Sequence, residues 1–288
     1  MNGAPKQKLD VRGIAMYLLL TFGITYSVIF LLWLNGFSLG GKHPLYANMA
    51  LAFIMFLPAI SAYIVREYVT GEKQSDAGFS AGPFKYYIQV YFLIPALFVI
   101  VYGLTAVFIQ APDFASYYTL HTAEGNFEVP IVQLVTGVIL TTFLTAPLVN
   151  SLHAFGQEFG WRGFLLPKLL PLGKRKALVI SGAIWGLWYG PFVFVGLHYS
   201  DNLLQGAVMF TVFTMVLGIY IGYLRLVSGS VFLASFAHGV FNAQFYGPWK
   251  PFFPGLDLYL GGITGILGIA VFLVLAVWIL FRSLPRIL

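Results

Sequence analysis

An all-α, polytopic membrane protein with eight transmembrane helices is the fold class this sequence predicts, and three observations carry it. Of 288 residues, 59% are hydrophobic and only 9% are charged, where a soluble chain carries about 25% charge. The apolar residues fall in runs of about 20, the length that crosses a hydrocarbon core as a helix. The basic residues then gather in alternate loops, as cytoplasmic loops require. A single membrane-embedded domain, 1–288, takes up the whole length.

The expected spans are 13–35, 47–69, 87–110, 130–156, 177–197, 204–226, 230–247 and 260–281. The first follows the basic segment Lys6, Lys8 and Arg12. It is too long for the apolar part of a signal peptide, and no small-residue cleavage site follows it, so it reads as a membrane helix. Between Val129 and Pro167 there is more apolar chain than one crossing needs. Pro147 and Asn150 interrupt it, and Pro167 and Pro171 end it. The fourth helix is therefore expected to run long or tilt, carrying its polar turn toward the cytoplasmic side. The seventh span contains Ser235, His238 and Asn242, so a hydropathy window alone would count seven helices. Residues 111–129, with Asp113, Glu124 and Glu128, read as a polar external loop.

Charge tests the count independently. With the N-terminus inside, Lys6, Lys8, Arg12, Arg66, Lys73, Lys85, Lys168, Lys174, Arg175, Lys176, Arg225, Arg282 and Arg286 are cytoplasmic. Only Lys42 and Lys250 fall outside. A seven-helix chain would put Arg282 and Arg286 on the wrong side, so both termini are expected in the cytoplasm, with the plasma membrane as the host bilayer. The net charge of +6 is accounted for by these loops, and no nucleic-acid partner is expected. There is no cysteine, which excludes a disulfide framework, a thiolate metal site and a thiol nucleophile.

Ionisable groups inside membrane helices cost several kcal/mol (roughly) unless paired or hydrated, so each that remains is a functional candidate. Glu158 and Arg162 are four apart, with the acid first, the favourable order for a pair on one helical face. Taken alone they are as well explained by a self-neutralising ion pair. His238 and Asn242 are also four apart, and alone they suit ordinary interhelical hydrogen bonding. The stretch WGLWYGP, 185–191, is by itself a crowded helix ended by Pro191. Together the three place polar atoms on three helices at similar depth, and one shared pocket would satisfy them all.

At these residues the chain resembles the CPBP family of intramembrane proteases, the CAAX-processing and bacteriocin-processing (Abi) group. That family carries E-E-x-x-x-R, then W-x-x-W-H-x-P, then H-x-x-x-N or D. The matching stretches are Gln157-Glu158-Phe159-Gly160-Trp161-Arg162-Gly163, Trp185-Gly186-Leu187-Trp188-Tyr189-Gly190-Pro191 and His238-Gly239-Val240-Phe241-Asn242. The resemblance covers about 130–246. It implies an eight-helix core and an endopeptidase acting on a membrane-associated peptide in a cytoplasm-facing intramembrane pocket. It also implies roles. The first Glu and the His of the second motif activate water, while His238 and Asn242 match the positions that polarise the scissile carbonyl and hold its oxyanion.

Two positions depart from the pattern. Gln157 stands where the family has the first Glu, and Tyr189 where it has the His. Both changes strike the water-activating half, because a carboxamide has essentially no proton affinity and a phenol near pKa 10 holds its proton at neutral pH. His153, four residues before Gln157 and so on its face, is the candidate for a displaced base. Glu158 is turned about 100° away from Gln157 and committed to Arg162. His198 lies too far past Tyr189 to serve. A zinc ion would need three protein ligands. Only His153, Glu158 and His238 are candidates, and no cofactor is expected.

Two functional readings therefore stand: an impaired CPBP-type endopeptidase, or a pseudoprotease that binds a membrane-associated peptide or protein without cutting it. An engineered Glu-to-Gln change at 157 would explain one substitution but not Tyr189. A transporter reading lacks the inverted repeat and broken helices it needs.

Overall fold

Prolines and capping side chains set where the helices of this chain start, bend and stop. The computed structural model describes residues 8–39, 45–114, 119–122, 125–199 and 201–283. Lys6, Lys42, Glu124 and Arg286, used above, lie outside the described residues. The helices are α1 (Val11–Leu34), α2 (Leu45–Val65, continued by a π turn Arg66–Thr70), α3 (Phe84–Phe108) and α4 (Val132–Leu172). After them come α5 (Lys174–Trp188, followed by a short turn of helix Gly190–Phe194), α6 (Leu203–Ser228), α7 (Val231–Phe245) and α8 (Ile266–Phe281). A small antiparallel hairpin, β1 (Thr119–Thr122) and β2 (Gly125–Glu128), occupies part of the expected 111–129 loop.

The all-α membrane class holds, but the count of eight crossings is not borne out. Among the described residues six helices are long and apolar enough to cross a membrane. α7 has 15 residues and α8 has 16, and at 1.5 Å per residue neither reaches across about 30 Å of hydrocarbon alone. The fourth helix does run long, at 41 residues.

α4 stays continuous by changing pitch. π turns at Ile139–Thr145 and Phe159–Leu165 precede Pro147 and Pro167. A proline has no N–H for the carbonyl four residues earlier, so the helical ladder must open there. The carbonyl that Pro147 leaves unbonded belongs to Phe143, and the Tyr91 hydroxyl of α3 donates to it at 2.9 Å. In lipid such a replacement donor is required.

Starts are capped by side chains that take an otherwise orphaned N–H. Asp10 accepts from Gly13, Asn202 from Gln205 and Ser230 from Leu233. α6 is largely buried and packs on α5, α7 and α8. α1 presents Tyr17, Thr21 and Thr25, four apart and fully buried, to the interior.

One end of the bundle collects charge. Lys168 of α4 binds Asp10 at 2.7 Å and also Glu72, which in turn meets Arg66 at 3.4 Å. Opposed by burial, the hydrogen bonds from Lys168 and from the Gly13 N–H nevertheless hold the Asp10 carboxyl below its ordinary range. Arg225 donates to the carbonyls of Arg162 and Ala77, both at 3.2 Å. Arg66 and Arg225 are thus buried structural cations, although the sequence counts them with the loops.

Candidate active site

Three helices bring the expected polar residues to one buried centre. Gln157 and Glu158 end the regular α segment Ala146–Glu158 of α4, and Arg162 follows inside the second π turn. Trp185 and Tyr189 come from the end of α5, and His238 from the middle of α7. Glu158, Arg162, Gln157, Trp185 and His238 are all buried, while Tyr189 and Asn242 are half-buried.

Glu158 is the hub. Its carboxylate lies 2.9 Å from Arg162 and accepts a hydrogen bond from Nη1 at 3.0 Å. Oε1 also stands 2.8 Å from His238 Nδ1. Arg162 has two further contacts: Nη2 donates to the Gly218 carbonyl at 3.3 Å, and the guanidinium lies 4.6 Å over the Trp185 ring. Gly218 makes that approach available. A Cβ there would stand 2.8 Å from the Gly182 Cα and 3.1 Å from Arg162 Nη2, closer than packed atoms tolerate. Gly160 has the same function against α2, where a Cβ would meet the Pro58 carbonyl oxygen at 2.5 Å.

Gln157 is held on every polar atom. Its Oε1 accepts from Trp185 Nε1 at 3.0 Å and from the Tyr189 hydroxyl at 3.1 Å, and its Nε2 donates to Met55 Sδ at 3.2 Å. An indole N–H only donates, so it fixes which end of the amide faces α5. The Trp185 ring also packs edge-to-face on His238, with centroids 5.2 Å apart. Around this centre lies an aromatic wall in which Trp188 donates to Thr25 at 2.9 Å, and Trp161 meets Trp188 and Tyr17.

The remaining expected residues are placed differently. Asn242 is one turn beyond His238 on α7, and its side chain has no hydrogen bond among the described residues. His153 is not brought into the cluster: it is exposed, and its Nδ1 contacts the Val149 carbonyl of its own helix at 3.1 Å. Four residues of spacing gave it the face of Gln157 but not the depth. Gln244 faces the other way and accepts from Trp249 at 3.0 Å. His198 packs on Phe245 near the end of the bundle, where burial and then the nearby Lys250 push its imidazole down to about 4. Among the described residues no group of three or more His, Asp or Glu side chains is arranged to hold a metal ion.

Sequence reasoning missed four contributors. Met55, Tyr17 and Thr25 sit in apolar runs that look lipid-facing, and Gly218 in α6 resembles any membrane glycine. The i, i+4, i+8 hydroxyls Tyr17, Thr21 and Thr25 were the available signal, a polar stripe on an otherwise apolar helix.

Comparison with known proteins points to one family. Residues 132–244 match the family model described as type II CAAX prenyl endopeptidase, Rce1-like. The chain is also similar to a protein named CAAX prenyl protease 2 from Methanococcus maripaludis. The two are 24% identical over 238 residues, which span 79% of this chain and 82% of that protein.

Proposed function

We propose that this chain, a member of the CPBP family of CAAX-type proteases, binds a membrane-associated peptide at the Glu158–His238–Asn242 centre and hydrolyses it with impaired efficiency. One observation carries the reading. Both hydrogen bonds to the Gln157 oxygen come from the protein's own Trp185 and Tyr189. An amide so engaged is neither a base nor a ready site for the attacking water. The donor set for a bound carbonyl remains, since Asn242 is half-buried and its side chain is uncommitted. A non-cleaving pseudoprotease is the limit of the same reading in which hydrolysis falls to nothing, and the saturated Gln157 favours it equally.

Binding is testable without turnover. A photoreactive residue in place of Asn242 should capture a membrane-anchored peptide in vesicles. The same group in place of Val132, an exposed residue at the far end of α4, should not. Equal capture at both positions would contradict a pocket at this centre.

The proposed orientation places both termini in the cytoplasm of a plasma membrane, with the end bearing Lys168 and Lys174 inside. In a chain without cysteine, single cysteines at positions 120 and 174 should react with impermeant reagents from opposite sides. Labelling from one side only would reject this topology.

A further inference from the structure

We propose that His238 is the general base of this site and that Glu158 is the residue positioning it. The inference rests on the pocket reading above and deepens it by assigning the proton. His238 Nδ1 stands 2.8 Å from Glu158 Oε1, with both side chains buried. Glu158 faces the Arg162 guanidinium at 2.9 Å, and an ionised carboxylate only accepts hydrogen bonds. The proton in the His238–Glu158 contact therefore belongs to Nδ1, and in the neutral imidazole this leaves the lone pair on Nε2. Among the described residues Nε2 makes no hydrogen bond. The edge-to-face contact with Trp185 at 5.2 Å fixes the ring plane.

A carboxylate on Nδ1 with Nε2 free is the arrangement by which an imidazole removes a proton from an oxygen nucleophile. No other residue of the centre offers that. Gln157 is an amide, the Tyr189 hydroxyl donates, and His153 is exposed and turned onto its own backbone. The base has thus passed from the α4–α5 side of the pocket to α7. The resemblance alone would have made His238 an oxyanion donor.

The step balances with water as the only co-reactant. The water oxygen bonds to the peptide carbonyl carbon, the carbonyl electron pair moves to its oxygen, and the water proton goes to Nε2. When the C–N bond breaks, that proton passes from Nε2 to the leaving nitrogen, giving an acid and an amine. Asn242, one turn along α7, supplies the amide N–H groups for the oxyanion.

The test uses purified full-length protein in lipid nanodiscs, in excess over a fluorogenic membrane-anchored peptide. The unmodified protein should cleave slowly, with a rate that rises with pH as one group loses its proton. His238→Ala should lower the rate about 100-fold or more, the usual size of a general-base contribution. Added imidazole should restore part of that loss in proportion to its free-base concentration, and a more basic methylimidazole should restore more. Glu158→Gln should displace the pH profile, whereas a merely structural role would scale the rate equally at every pH. If Glu158→Gln does not fold, imidazole rescue of His238→Ala decides alone.

Absence of rescue, or rescue by the imidazolium form, would overturn the assignment. So would cleavage seen only in a Gln157→Glu, Tyr189→His variant, which would leave the pocket reading standing. If the peptide is neither captured nor cut by any variant, the pocket reading falls first and this inference with it.

Discussion

Glu158→Ala is expected to cost about 3–5 kcal/mol of stability, the usual result of removing one partner from a buried ion pair. The cost arises at Arg162 more than at the missing acid. With Glu158 gone, the guanidinium keeps, among the described residues, only the Gly218 carbonyl at 3.3 Å and the Trp185 face at 4.6 Å. Those are dipole and quadrupole partners for a full charge that water does not reach. His238 would lose its Nδ1 acceptor in the same change. The measurement is thermal unfolding in detergent, and the companion variant Glu158→Ala, Arg162→Leu should recover much of the loss, because no charge is then stranded. Equal melting of Glu158→Ala and the unmodified protein would show that Arg162 has another partner.

The second large effect is a gain. Gln157→Glu with Tyr189→His should raise the cleavage rate about 10²- to 10⁴-fold, the range of a general-base contribution. Both changes are needed for a physical reason. Gln157→Glu alone adds a second buried carboxylate next to Glu158, supported only by the Trp185 N–H and the Tyr189 hydroxyl. Histidine at 189 would supply a group able to share a proton with that carboxylate, across the 3.1 Å contact Tyr189 already makes. Tyr189→His alone should do little, since the amide at 157 still cannot accept a proton. Cleavage of a fluorogenic anchored peptide in nanodiscs reads all three variants.

The site was legible in the sequence to the extent that spacing determines face. Glu158 and Arg162 meet as their four-residue separation predicts, and the surplus of apolar chain between Val129 and Pro167 foretold that α4 would run long. Depth was not legible. His153 shares the spacing rule with Arg162, yet it ends exposed because nothing in a helical period says where the neighbouring helices stop. Charge misled in another way. Arg66 and Arg225 counted as loop cations, but their long side chains turn inward to the carbonyls of Lys73, Arg162 and Ala77. Eight helices are present as expected, but α7 and α8, at 15 and 16 residues, are shorter than a full crossing. Met55 gave no signal at all. A methionine in an apolar run becomes a site residue only when a carboxamide on another helix donates to its sulfur.

The central claim is that this pocket is intact and that its water-activating half alone is weakened. Single-turnover cleavage of one membrane-anchored peptide, compared between the unmodified protein and its Gln157→Glu, Tyr189→His variant at equal melting temperature, tests it most directly. The expected result is slow cleavage by the unmodified protein and at least about a 100-fold faster rate in the variant. Equal rates in the two proteins, or a slower variant, would contradict it.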